Sequence, residues 1–168
     1  MLAAGSAWRI LEAEHGQLRR LLADIARLLD DDGWKRPGPR LDSLRRQIHE
    51  FQDFETRTHR PKGVVLLGAT RGRLPEADEL LDVLEHDGRR CEDLLNQALD
   101  LLRAVESGDG ARAGEVVPLL RQHRELMTRL LNQEDTALRA YTGRLLTSEE
   151  WSHVVSSISR EARRPDRK

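Results

Sequence analysis

The sequence predicts an all-α protein, an antiparallel up-down-up-down four-helix bundle with a short C-terminal helix. Three observations carry that expectation. Apolar residues, mostly leucine, recur at three- and four-residue spacing through four long segments, the period of one buried helix face. Breaks rich in Gly, Pro and Asp separate those segments. The composition, 38% hydrophobic, 34% charged and 4% aromatic, suits helices with apolar inner stripes and salt-laced outer faces. No strand-period alternation and no internal repeat is visible.

The first segment is expected from Ser6, read as an N-cap, to Asp30. Leu11, His15, Leu18, Leu22, Ile25 and Leu29 share one face, so His15 stands in the middle of an apolar stripe. Asp31-Asp32-Gly33 and Pro37-Gly38-Pro39 end it. The second segment starts near Leu41 or Asp42 and carries Leu44, Ile48, Phe51, Glu55 and His59 along one side. Pro61, Gly63, Gly68 and Gly72 then bracket the apolar run Val64-Val65-Leu66-Leu67, which reads equally as a kinked helical end or a buried loop.

The third helix is expected to begin near Pro75 or Glu76, proline being suited to a first helical turn. It places Leu81, Leu84, Gly88, Cys91, Leu95, Ala98 and Leu102 on its inner face. After the turn Gly108-Asp109-Gly110, a fourth helix spans Ala113 to Thr142, with Val116, Leu120, His123, Met127, Leu130 and Glu134 pointing inward. Thr147 and Glu150 have capping-box spacing ahead of a short helix through Trp151, Val154, Val155 and Ile158.

At 168 residues the chain reads as one domain, 1–168, with a core over about 6–146, the C-terminal helix over about 147–161 and a basic tail at 162–168. Its 28 basic and 29 acidic residues make no global basic field, which argues against nucleic acid as a partner. A single cysteine, Cys91, leaves no internal disulfide and fits a reducing cytoplasm. No apolar run approaches the roughly 18 residues of a membrane span, and no secretory signal is visible.

Polar residues inside leucine stripes build or keep a site. Several short pieces follow one another here: Glu14-His15, Thr58-His59-Arg60-Pro61-Lys62, Leu84-Glu85, Asn132-Gln133-Glu134-Asp135, and Leu146-Thr147 ahead of Glu150-Trp151. In order and spacing the chain resembles the hemerythrin-like family, the HHE cation-binding domains, over nearly its whole length. That resemblance implies a non-heme iron pair held between the helices. Matched position by position, His15, His59 and Glu134 stand where ligands are implied, with Asp135 a second acid. Gly63, Gly88 and Leu130 stand where further ligands would be. Glu92, one turn past Gly88, matches a second third-helix ligand of some relatives.

The implied site is therefore eroded: at most one ion, a non-heme iron or another divalent metal, on His15, His59 and Glu134 with Glu92 as a fourth donor. Two histidines and a carboxylate suffice for a mononuclear site. The implied task is binding or sensing of oxygen, nitric oxide or redox state in the cytoplasm, not catalysis. A second reading stays open, a metal-free helical bundle for protein interaction or small-ligand binding; the partners expected overall are a small molecule or diatomic gas in the bundle core, or a protein. Of the remaining histidines, His123 reads as structural and His153 as solvent-facing. Glu55, one turn before His59, reads either as a group orienting that imidazole or as a partner of a basic neighbour.

Overall fold

In the computed structural model, which describes residues 2–163, every regular element among the described residues is helical. The order is α1 (Leu2–Leu28), a 3-10 turn (Gly33–Lys35), α2 (Pro39–Asp53), a π-helical segment (Phe54–His59) and α3 (Arg60–Thr70). Then follow α4 (Pro75–Glu106), a 3-10 turn (Gly110–Arg112), α5 (Ala113–Gln133), a second π-helical segment (Glu134–Leu138), α6 (Arg139–Leu145) and α7 (Ser148–Ala162). The all-α bundle read from the sequence is the class observed. Residues 164–168 of the expected basic tail lie outside the described residues.

The elements differ from the sequence expectations in several places. Helix α1 begins at Leu2, ahead of Ser6, whose hydroxyl donates back to the Leu2 carbonyl at 3.0 Å instead of capping. Helix α2 starts on Pro39, which lacks only an N–H that the first turn would leave unpaired. The stretch left open after His59 is helix α3, with Pro61 in its first turn. The fourth segment is not a continuous α-helix, because a π-helical turn interrupts it at Glu134.

The chain divides into two compact units. The first comprises residues 1–17, 53–85 and 131–168. Its core holds Ala7, Trp8 and Leu11 from α1, Leu66 from α3, Ala77, Leu81 and Leu84 from α4, and Trp151, Val154 and Ile158 from α7. Helix α7 packs along α3. It is started by the expected capping box: the Glu150 N–H donates to Thr147 Oγ1 (3.3 Å) and the Thr147 N–H to Glu150 Oε2 (2.7 Å). Arg73 binds both the Leu145 carbonyl and the Glu150 carboxylate, tying the turn before α4 to the start of α7.

The second unit comprises residues 18–52 and 86–130. Leu18, Leu21, Trp34, Leu41, Leu44, Ile48, Leu94 and Leu102 are buried there almost completely. Cys91 is buried and forms no disulfide, as its place on the inner stripe of α4 implied. His123 is buried against Phe51 in an edge-to-face contact, centroids 5.0 Å apart.

Candidate metal centre

Four stretches of the first unit supply the polar groups. Helix α1 presents Glu14 and His15, both buried within its apolar stripe. The first π-helical segment ends on His59, and Lys62 follows one turn later in α3. The second π-helical segment opens with Glu134 and Asp135. A π-helical turn admits one residue more than an α-turn, and such turns gather at functional sites. Here each of the two carries a residue of the same cluster.

His15, His59 and Glu134 come together, one ligand atom of each lying within 4.8 Å of the others. Glu134 Oε2 is 3.0 Å from His15 Nε2 and 3.5 Å from His59 Nε2. The imidazoles meet edge to face, centroids 4.9 Å apart. Their other nitrogens turn to different carboxylates. His15 Nδ1 donates to Asp135 Oδ1 at 2.6 Å, and His59 Nδ1 makes a long 3.4 Å hydrogen bond to Glu14 Oε2. Lys62, also buried, donates from Nζ to Glu14 Oε1 (2.5 Å) and to the Thr58 carbonyl (2.6 Å).

Elementary bonding rules then fix what this arrangement lacks. An ionised carboxylate only accepts, so Nδ1 of each imidazole carries the proton. In the neutral rings both Nε2 atoms present lone pairs, and they face a carboxylate oxygen that presents more. His15 Nε2 is buried and, although 3.0 Å from Glu134, makes no well-aligned hydrogen bond. Three acceptors converging on one small volume require a positive charge between them, either a cation or protons. A carboxylate on Nδ1 with Nε2 directed at a common point is also how metal-binding imidazoles are oriented.

Electrostatics agree. Glu14, Glu134 and Asp135 set three carboxylates against the single ammonium of Lys62, two negative charges more than it neutralises. Burial is the largest influence on His59 and opposes its protonation. The hydrogen bonds and charges of Glu134 and Glu14 outweigh it and raise the imidazole to about 9. Burial likewise works against ionising Glu134, but His15 and His59 hold it down at about 2. Glu134 keeps 14% side-chain exposure, so the cluster has a solvent-facing edge. The donor set therefore fits a divalent cation: two imidazoles and a carboxylate, with an unpartnered buried nitrogen among them.

The other residues singled out in the sequence fall elsewhere. Glu92 is exposed on α4, in the second unit, and is not in the His–His–Glu group. Glu55 forms a two-point ion pair with Arg60 (3.1 and 2.7 Å), which was the second of its two readings. His153 is exposed, as are His49 and His86, which the sequence does not place at the site. Gly63 adds no donor, and a Cβ built there would meet nothing within 4 Å, so packing does not demand glycine. The roles of Glu14, Asp135 and Lys62 were not read from the sequence. The signal was present as adjacency: an acid beside each of His15 and Glu134, and a lysine one turn after His59.

The model of the Hemerythrin HHE cation binding domain matches residues 6–141. The chain belongs to that family. No curated protein and no solved structure matches it. The matched span contains all six residues of the cluster, from Glu14 to Asp135. For a hemerythrin HHE domain, cation binding is the general expectation, and the cluster in the first unit is compatible with it.

Proposed function

We propose that this hemerythrin HHE domain binds a single divalent metal ion, non-heme iron foremost, and serves as a sensing module and not as an enzyme. The ligands are His15 and His59 through Nε2 and Glu134 through a carboxylate oxygen. Asp135 and Glu14 orient the imidazoles, and Lys62 holds Glu14 away from the ion. The observation that carries this reading is the convergence of both Nε2 atoms on Glu134 Oε2 while both Nδ1 atoms are committed to carboxylates. Three protein donors leave the rest of an ion's coordination sphere to water or to a small exogenous ligand, the arrangement that binding of oxygen or nitric oxide requires. Gly63, Gly88 and Leu130 offer no donor at the remaining family positions, which is why one ion is proposed and not two.

The test is metal analysis of the full chain after anaerobic reconstitution with ferrous iron and dialysis. One iron per chain is expected, with retention lost in His15→Ala and Glu134→Ala. Two tightly held irons would contradict the ligand count. Retention of none, from either iron or zinc, would favour the metal-free reading, in which a proton on His59 offsets the carboxylate charge.

A further inference from the structure

The second unit contains a cavity of about 220 Å³ that no metal chemistry explains. Leu22 and Ile25 of α1 and Val117 and Leu120 of α5 form its apolar walls. Its polar groups are of two kinds. His123 lines the cavity while 1% exposed, and its Nε2 has no hydrogen-bond partner. Burial alone lowers this imidazole to about 4, so it is neutral at physiological pH. Arg121 and Arg124, one turn apart on α5, line the same cavity and are exposed. Among the described residues neither guanidinium has a hydrogen bond or an ion pair, whereas Arg45, Arg103, Arg112 and Arg129 of this unit each reach a carboxylate. Asp30 is the one acid in the lining, so the cavity keeps a positive excess.

We propose that this cavity is a binding site for a small apolar monocarboxylate, its hydrocarbon body between the leucine walls and its carboxylate on Arg121 and Arg124. Size limits the ligand. A protein cavity of roughly 150 Å³ accommodates benzene, and sites for drug-sized molecules begin at roughly 300 Å³. The present volume admits one aromatic ring with a short substituent, or a short aliphatic chain. Two arginines a turn apart offer planar forks that match a carboxylate, and charge-assisted bonds of that kind are stronger than neutral ones. The unpartnered His123 Nε2 gives a second polar contact to a ligand that reaches the cavity floor.

Benzoate and benzyl alcohol, titrated into isotope-labelled full-length protein treated with chelator, separate the contributions. Benzoate is expected to shift amide resonances within residues 22–30 and 117–124, and benzyl alcohol to bind the same place about tenfold more weakly. Arg121→Gln combined with Arg124→Gln brings benzoate down to the level of the alcohol and leaves the alcohol unchanged. Ala26→Phe, on the cavity wall, abolishes both. The proposal is overturned if millimolar benzoate produces no shifts, if the double glutamine variant binds it undiminished, or if the shifts centre on residues 14–15, 59–62 and 134–135. Chelation keeps this outcome independent of metal binding in the first unit.

Discussion

His59 and His123 are both buried imidazoles, and their surroundings push them in opposite directions. His59 faces two carboxylates and is raised to about 9; its stabilising contribution is full below the unfolded value of 6.5 and is lost as pH rises through 9. His123 faces Phe51 and apolar walls and is lowered to about 4; its contribution is full above 6.5 and is lost as pH falls through 4. Glu134, held at about 2, adds stability above its ordinary value of 4.5 that disappears only as pH falls through 2. The metal-free protein is therefore expected to be most stable near pH 6.5. Thermal melts from pH 4 to 9 in chelator check this: His59→Gln should flatten the alkaline limb and His123→Leu the acid limb. An alkaline limb equally steep in His59→Gln contradicts the assignment.

Lys62 belongs to the same scale. Its ammonium and the Glu14 carboxylate are buried together at 2.5 Å. Removing one partner of such a pair strands the other, at a cost of roughly 3–5 kcal/mol. Lys62→Met should lose that much in denaturant unfolding at neutral pH, and Glu14→Gln combined with Lys62→Met should recover much of it. If the double variant is as unstable as the single, packing of the lysine stem and not charge is what Lys62 contributes.

At the scale of elements, the two π-helical turns decide where the ligands fall. Phe54–His59 and Glu134–Leu138 each add a residue to a helix, and residues beyond the insertion are rotated relative to an uninterrupted α-helix. Inserting an alanine after the exposed Thr56 adds one residue to this segment and turns His59 about the axis by roughly 100° relative to Asp53, whereas deleting Thr56 removes the residue that the π-turn absorbs and leaves that direction nearly unchanged. Far-UV circular dichroism should show helix content maintained, while affinity for divalent ions falls about tenfold or more. Unchanged affinity in the insertion variant would show that the direction of His59 has no bearing on the site. These turns were not legible in the sequence. Phe54-Glu55-Thr56-Arg57-Thr58-His59 contains one apolar residue, so no stripe passes through it whose phase would reveal a slip. The capping box of α7 was legible, because Thr147 and Glu150 interact across three residues and need no distant partner.

At the scale of the whole molecule, an ion that binds the folded chain and not the unfolded one stabilises it by mass action. Free divalent ion at about a hundred times its dissociation constant is worth roughly 2.7 kcal/mol, a rise in Tm of about 5–10 °C for a chain of this size. Differential scanning fluorimetry with added zinc or anaerobic ferrous iron should show that rise, and His15→Ala should abolish it. Binding should also release protons near neutral pH, since the ion displaces the proton that Glu134 and Glu14 hold on His59. No helix among the described residues is long and apolar enough to cross a membrane.

The sequence by itself determined the all-α class, the limits of α4, the buried face of each long segment and the polar residues lodged in them. These are local properties: apolar period, proline and glycine punctuation, and capping act within a few turns of chain. It also named His15, His59 and Glu134, because a titratable group in a leucine stripe must be compensated. Tertiary structure alone decided which groups do the compensating. Glu14 and His59 are 45 residues apart, Glu14 and Lys62 48, and His15 and Asp135 120, and no local pattern encodes pairings over such distances. It left Glu92 on an exposed face and gave Glu55 to Arg60. The physical reason is that a helical period fixes the face a residue occupies, whereas the partner it meets depends on how separate helices pack.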